Sequence, residues 1–277
     1  MAKPKRSSSV SARVADARQA VVGSSPSLAA VPPKTGGIVI QGKRIHFPVM
    51  VRDAASASAT YVVSAKAARE MLPSPELDVI EVLPGKTLFS LACIDYKDND
   101  LGDYNEVSLA FFVREKSASR GIPYLSDWMN VMRGRVSTFI FWLPVDQEFT
   151  REAGETIWGF PKTLEKIDFE HSGDRAICTL AAAGRHVLTF SMPRSGKRTL
   201  PENTMTTYTL MDDETCATRF TSKSTGVGFH RKGIELTLGD HPTANWLRGL
   251  GLPKKPMAAV WMEHMEASFE PPRPLGK

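Results

Sequence analysis

Residues 154–164 read GETIWGFPKTL, which places Lys162 directly after an aromatic-rich turn and before a further apolar residue. An ammonium group is costly to bury, so most lysines lie at the surface with the charged end in water. A lysine that follows Trp158 and Phe160 this closely is in unusual surroundings for such a charge. Two interpretations follow: Lys162 is an ordinary surface lysine, or its amine takes part in chemistry.

The sequence around this run predicts a β-rich protein. Short segments of β-branched and aromatic residues recur between turn residues, and several are spaced by roughly 8–12 residues, as in an antiparallel meander. Ser64 can cap one short helix over residues 65–72, which Pro73 ends. The predicted strands cover residues 44–52, 79–82, 87–96, 107–114, 138–143, 166–170, 174–180, 186–192, 206–210, 233–238 and 258–269. We expect a mainly β fold, α+β at the margin, built as an antiparallel barrel or sandwich with a few short helices.

The positive charge of the chain is confined to its first residues. Residues 1–35 carry six basic residues and one acidic residue, and the remainder is balanced at 29 basic and 29 acidic. A neutral domain offers no basic face to phosphates, so a nucleic-acid partner is not expected. The segment is rich in Ser, Ala and Pro and lacks aromatic residues, which predicts a disordered tail before a domain over residues 36–277. It is either a solvated extension or a targeting peptide, since transit peptides share this composition.

Other signals are absent from the sequence. Cys93, Cys178 and Cys216 are far apart and odd in number, which suits a reducing compartment and a cytoplasmic location. No apolar run approaches the roughly 20 residues that span a bilayer, so no membrane association is expected. The six histidines show no paired metal spacing, and no phosphate loop or dinucleotide motif is present. We therefore expect neither a metal nor an organic cofactor.

The run ending at Lys162 resembles the active-site signature of the acetoacetate decarboxylase family, in which Pro-Lys-Lys-Leu follows small or aromatic residues. Weaker similarity extends over about residues 36–275. The matching segments are residues 43–52 with the first strand, 67–73 with the first helix, 89–106 with the next hairpin, and Asp240-His241 and Leu252-Pro253 near the end. The resemblance implies an acetoacetate decarboxylase-like fold, a small keto acid as substrate, and a homo-oligomer.

Carried over by position, the resemblance also implies roles for individual residues. Lys162 matches the family's Schiff-base lysine, Glu106 an active-site glutamate, and Arg44 an arginine associated with the pocket. Two positions depart from the pattern. Thr163 stands where the family has a second lysine, and Ser90 stands where it has another pocket glutamate, unless the register slips by one residue.

These departures bear on how the amine would be activated. An unperturbed lysine has a pKa of about 10.4 and is almost entirely protonated at pH 7, whereas only the neutral amine attacks a carbonyl. Desolvation or a neighbouring cation activates such lysines, and acetoacetate decarboxylase is itself a known case. Thr163 supplies no cation, so activation would rest on burial among groups such as Trp158 and Phe160. With Thr163 and Ser90, these two aromatic residues form the expected substrate pocket. Glu106 could relay protons, and Arg44 could hold a substrate carboxylate. An ordinary hairpin glutamate and a structural ion pair are the alternatives.

Three functions are consistent with the sequence. The first is a lyase in which Lys162 forms a Schiff base with a β-keto acid and decarboxylates it. The second keeps the Schiff base but uses it for aldol or dehydration chemistry on a keto acid. The third is a small-molecule binding protein without turnover, which Thr163 and Ser90 favour because both positions lack an expected charge. The retained Lys162 argues against the third, since a buried unpaired amine is costly.

Overall fold

The computed structural model describes residues 37–118, 121–122 and 124–275, so the predicted tail lies outside the described residues. Strands dominate, and the described residues include four short helices. The elements are β1 Ile38–Ile40, β2 Lys43–Ile45, β3 Val49–Ser64, α1 Ala65–Met71, β4 Leu77–Val79, β5 Lys86–Asn99, β6 Tyr104–Glu115, α2 Leu125–Met132, β7 Ser137–Val145, α3 Glu148–Trp158, β8 Lys162–Leu164, β9 Lys166–Ser172, β10 Arg175–Ala182, β11 Arg185–Pro193, β12 Arg198–Met211, β13 Glu214–His230, β14 Glu235–Leu238, α4 Pro242–Gly249, β15 Ala258–Met262, β16 His264–Phe269 and β17 Arg273–Pro274.

The larger sheet follows the order β4-β6-β5-β3-β15-β13-β12-β7-β8, and β6 also pairs with β7. This extra pairing closes the path from β6 round to β7. Neighbouring strands of the larger sheet are antiparallel, except that β12 and β8 each run parallel to β7. A second sheet, β14-β11-β10-β9, is the predicted antiparallel meander joined by one further strand. The prediction of a mainly β fold is confirmed, and the two sheets are closer to a sandwich than to a simple barrel.

Two hydrophobic cores use opposite faces of β5 and β6. Side chains alternate along a strand, so odd and even residues point to different sides. Odd residues such as Leu91 and Val107 pack in one core with residues of the second sheet. Even residues such as Ile94, Tyr96 and Tyr104 pack in the other core, which α3 covers. Glu106 is also an even residue of β6, so its side chain is directed to the core under α3.

Some strand boundaries differ from those predicted. The predicted strand over 44–52 is interrupted after Ile45 and resumes at Val49 as β3, which continues to Ser64. The rest of β3 is rich in Ala and Ser, and β13 is rich in Thr and Ser, so neither shows an apolar alternation. Both are strands because they pair with neighbours on either side, which overrides weak local preference. The cap on α1 is as predicted, with the Ser64 hydroxyl accepting from the Ala67 amide.

Gly159 ends α3 and turns the chain into β8. Its φ is 64°, in the left-handed region that glycine tolerates best, and its amide donates to the Glu155 carbonyl at 3.0 Å. A Cβ atom at this position would lie 2.4 Å from Cγ of Met211 and 2.8 Å from the Leu210 carbonyl oxygen. Only glycine therefore meets both the backbone and the packing requirement at the turn that leads to Lys162.

We expect Gly159→Ala to lower the free energy of unfolding by more than its backbone strain alone. The left-handed conformation costs a non-glycine residue about 1–2 kcal/mol, and the overlap with Met211 should add about 1–3 kcal/mol. Gly173→Ala is the matched control, because Gly173 has φ 58° and a Cβ atom added to it would meet nothing within 4 Å. Urea unfolding measures both; equal losses would show that the close packing at Gly159 carries no cost.

Candidate active site

Lys162 is the first residue of β8, where it lies opposite Leu143 of β7 in a parallel pair. Its side chain is only 3% exposed. The aliphatic part passes over α3 at Gly154, where a Cβ atom would lie 2.5 Å from both Cδ and Cε of Lys162. The absence of a side chain at this helix position therefore leaves room for the lysine to reach the core under α3.

Glu106 receives the end of this lysine. It lies on β6 opposite Val145 of β7, so the lysine side chain crosses β7 to reach it. Nζ of Lys162 is 2.9 Å from Oε2 of Glu106, and the glutamate side chain is 8% exposed. Each group would be costly to bury alone, so each depends on the other.

Two tyrosines lie beside the pair. Tyr96 of β5 and Tyr104 of β6 are opposite one another, with stacked rings whose centroids are 4.5 Å apart. The Tyr104 ring lies 5.0 Å from Nζ of Lys162, and the Tyr96 hydroxyl donates to Oε1 of Glu106 at 3.4 Å. Burial raises the pKa of both phenols well above the ordinary value, so both stay protonated at neutral pH.

Aromatic residues of the run 154–164 form another wall. The rings of Trp158 and Phe160 stack with their centroids 5.6 Å apart, and the Phe269 ring packs on Trp158 with a centroid distance of 5.9 Å. The Trp158 indole donates to the Glu270 carbonyl at 2.9 Å, and its own carbonyl accepts from the Thr209 hydroxyl at 2.6 Å. These bonds fix the tryptophan, so the wall is preorganised.

These groups enclose a cavity of about 50 Å³. A cavity of roughly 10–15 Å³ is enough to hold one water molecule, so this larger cavity can hold one small molecule. Among the described lining residues, Lys162 is the one basic residue and Glu106 is the one acidic residue. The described lining is Val49, Val51, Tyr96, Asn99, Leu101, Tyr104, Glu106, Ile140, Leu143, Trp158, Phe160, Lys162, Thr207 and Phe269. The arrangement is an amine and a carboxylate in contact, inside a small and largely apolar space.

Four of the seven site residues chosen from the sequence line this cavity together: Lys162, Glu106, Trp158 and Phe160. The other three do not line it.

Arg44, Thr163 and Ser90 lie elsewhere for identifiable reasons. Arg44 is exposed on β2. Thr163 follows Lys162 in the same strand and so points to the other side of it, where its hydroxyl accepts from the Trp142 indole at 2.9 Å. Ser90 lies four residues before Ile94, the residue opposite Glu106, which is about 13 Å along the strand at 3.3 Å per residue.

Sequence reasoning missed Tyr96 and Tyr104. The sequence signal that could have found them is the alternation of side-chain direction in the two strands that flank the polar turn at residues 100–103. Tyr96 lies opposite Tyr104, and Ile94 lies opposite Glu106, so the four share one face of the hairpin. A hairpin register centred on that turn would have placed both tyrosines beside Glu106.

Neither a metal cluster nor a membrane helix is found in the described residues. In that part of the chain, no three His, Cys, Asp or Glu side chains are grouped so that they could hold a metal ion. Among the residues that the structure describes, no helix is both long enough and apolar enough to cross a membrane.

The family model for acetoacetate decarboxylase (ADC) matches residues 38–267. The chain belongs to the acetoacetate decarboxylase family. This confirms the resemblance first seen around Lys162.

Several solved structures share the fold of this chain. The acetoacetate decarboxylase from Legionella pneumophila subsp. pneumophila str. Philadelphia 1 is 16% identical, with a TM-score of 0.60 over 92% of this chain and 98% of its own. A structure described as acetoacetate decarboxylase is 18% identical, with a TM-score of 0.56 over 83% of this chain and 90% of its own. The enduracididine biosynthesis enzyme MppR, complexed with pyruvate, is 16% identical, with a TM-score of 0.57 over 85% and 93%. No curated protein sequence matches the chain. At such identities the likeness shows the fold.

We expect the buried pair to show strong energetic coupling. Glu106→Gln and Lys162→Met each remove one partner, so each should lower the free energy of unfolding by about 3–5 kcal/mol. The double variant removes both charges, and its loss should fall short of the sum by about 1–3 kcal/mol. Urea unfolding of the four proteins measures this coupling.

The chain offers a matched control. Lys223 and Glu266 are also 2.9 Å apart, but their side chains are 54% and 56% exposed. A cycle with Lys223→Met and Glu266→Gln should give a coupling below about 1 kcal/mol. Equal coupling at the two pairs would show that burial does not strengthen the contact between Lys162 and Glu106.

Proposed function

We propose that this chain is a lyase that forms a Schiff base between Lys162 and a small β-keto acid and then decarboxylates it. The observation that supports the proposal most directly is the contact between Nζ of Lys162 and Oε2 of Glu106 inside a cavity. An amine nucleophile and a proton acceptor in contact are the two groups that iminium formation requires.

Glu106 provides a route to the neutral amine. Proton transfer from Nζ to Oε2 turns a buried ion pair into a neutral amine and a neutral carboxylic acid. The two atoms are 2.9 Å apart, so the transfer needs no intervening group, and the neutral amine that it leaves is the form that adds to a carbonyl. No second lysine is needed for it, and Thr163 at the neighbouring position is consistent with this mode of activation.

The reaction then follows from the chemistry of the iminium. The amine adds to the ketone carbon, and loss of water with a proton from Glu106 leaves a cationic iminium. The electrons of the bond to the carboxylate move toward the iminium nitrogen as carbon dioxide leaves, which gives an enamine. Glu106, which the dehydration left ionised, takes up a proton from solvent and passes it to the enamine carbon, and hydrolysis of the resulting iminium releases the ketone and Lys162.

The charge distribution in the cavity favours loss of the carboxylate over its retention. Lys162 is the sole cationic side chain among the described lining residues, and it becomes part of the iminium. A carboxylate in the remaining, largely apolar space has no cationic partner other than the iminium itself, so its charge is poorly stabilised there. Conversion to neutral carbon dioxide relieves that cost.

A second candidate function keeps the carboxylate. MppR, which shares the fold, has been solved with pyruvate bound. This favours, as the alternative, an iminium on an α-keto acid that proceeds to aldol or dehydration chemistry. Decarboxylation alone releases carbon dioxide, so the products distinguish the two.

Borohydride trapping tests the proposal. The chain is incubated with acetoacetate, pyruvate or 2-oxobutanoate, reduced with borohydride, and read by intact mass and peptide mapping. We expect acetoacetate to leave on Lys162 the reduced adduct of a ketone that has lost its carboxylate. Lys162→Ala should abolish the adduct, and Lys166→Ala, which removes an exposed lysine four residues away, should leave it unchanged.

The outcomes separate the candidates. An acetoacetate adduct on Lys162 that retains its carboxylate would support the second function and contradict decarboxylation. No adduct on Lys162 with any of the three acids, in a protein whose folding is intact by circular dichroism, would contradict both and leave a binding protein without turnover.

We further infer a cytoplasmic homo-oligomer. Cys93, Cys178 and Cys216 are all buried free thiols, which agrees with a reducing compartment. The oligomer is inferred from family resemblance.

A further inference from the structure

The two carboxylate oxygens of Glu106 have different partners. Oε2 lies 2.9 Å from Nζ of Lys162, and Oε1 accepts from the Tyr96 hydroxyl at 3.4 Å. A carboxylate can be protonated on either oxygen, but only the oxygen that faces Lys162 can exchange a proton with groups bound there. Which oxygen is free to take the proton therefore matters for any chemistry at Nζ.

Tyr96 is held firmly in its place. Its ring stacks on Tyr104 at an interplanar angle of 22°, with the two ring centroids 4.5 Å apart. Tyr96 lies on β5 and Glu106 on β6, two adjacent strands paired over Phe89–Tyr96. Because both phenols are buried and stay protonated, Tyr96 remains a hydrogen-bond donor at neutral pH.

We propose that Tyr96 is a positioning residue that holds Glu106 through Oε1, so that Oε2 is the oxygen that takes and returns protons at the substrate. The inference rests on the proposed Schiff-base function and adds to it a residue that does not itself touch the amine. Tyr104 supports Tyr96 by the stacking of the two rings.

The step on which Tyr96 acts is the transfer of a proton at the carbon next to the iminium. In one direction, Oε2 of ionised Glu106 removes that proton; the C–H electrons form the C=C bond, and the C=N π electrons move to nitrogen. This yields the neutral enamine and protonated Glu106. The reverse step returns a proton to carbon and restores the iminium and the carboxylate, so no further reactant is consumed.

The step can be isolated with acetone as the probe in heavy water. Iminium formation at Lys162, followed by repeated enamine formation, exchanges the methyl protons of acetone for deuterium, which NMR measures. Borohydride trapping of the same mixture measures the iminium separately. We expect Tyr96→Phe to slow exchange roughly 10- to 100-fold, since misplacement of a catalytic group by about 1 Å has effects of this size. The trapped adduct should be unchanged, because Lys162 and Glu106 both remain.

Tyr208→Phe is the matched control. The Tyr208 hydroxyl donates to Oε1 of Glu115 at 2.8 Å, so this variant also removes a tyrosine–carboxylate hydrogen bond, but away from Lys162. It should leave exchange and trapping at wild-type levels. The phenyl ring left by Tyr96→Phe preserves the stack on Tyr104, and urea unfolding checks that both variants are folded.

The outcomes distinguish this inference from the function on which it rests. Slow exchange with normal trapping in Tyr96→Phe supports the positioning role. Exchange at the wild-type rate would overturn it and leave the Schiff base intact, and equal loss of exchange and trapping would show a purely structural role. If the wild-type chain traps keto acids but exchanges no acetone protons, Glu106 and Tyr96 lose their role at carbon. If it traps nothing, the proposed function falls, and this inference with it.

Discussion

An amine and a carboxylate lie 2.9 Å apart on Lys162 and Glu106, where almost no water reaches either side chain. Two opposite charges at about 4 Å attract by roughly 4 kcal/mol at an effective dielectric constant of ~20, while removing each ion from water costs several kcal/mol. Neither group is tolerable there without the other. The surrounding structure therefore has to bring two residues 56 positions apart into register. It does so with the closed pairing of β6 and β7, the parallel addition of β8, the turn at Gly159, and the space left at Gly154.

The same contact explains how the site could work with fewer cations than the family pattern contains. Thr163, next to the proposed nucleophile, is directed away from the cavity toward Trp142. Proton exchange inside the buried pair can supply the neutral amine instead. Trp158 and Phe160 exclude water from the reacting groups, and the tyrosine pair holds the far side of Glu106. Under the proposed function, the same few residues therefore serve both catalysis and packing.

A structural feature can be predicted from the sequence when residues close to it in the chain determine it. The meander of β9 to β11 and the cap at Ser64 depend on neighbouring residues, and both were predicted correctly. Much of β3 and β13 consists of Ala, Ser and Thr. The extended conformation of these two strands depends on pairing with distant strands, so no local sequence pattern predicts it. Lys162 and Glu106 were found through family resemblance. The distance between them depends on sheet closure and could not be read from either segment alone.

The most direct test of the buried pair as the reactive centre is the crystal structure of the chain after borohydride reduction with acetoacetate. We expect continuous density from Nζ of Lys162 to a carbon atom in the cavity between Trp158 and Phe160. We also expect Oε2 of Glu106 to remain within hydrogen-bonding distance of that nitrogen. Density attached to another lysine, or a Lys162 adduct directed away from Glu106, would contradict the assignment of the reaction to this buried pair.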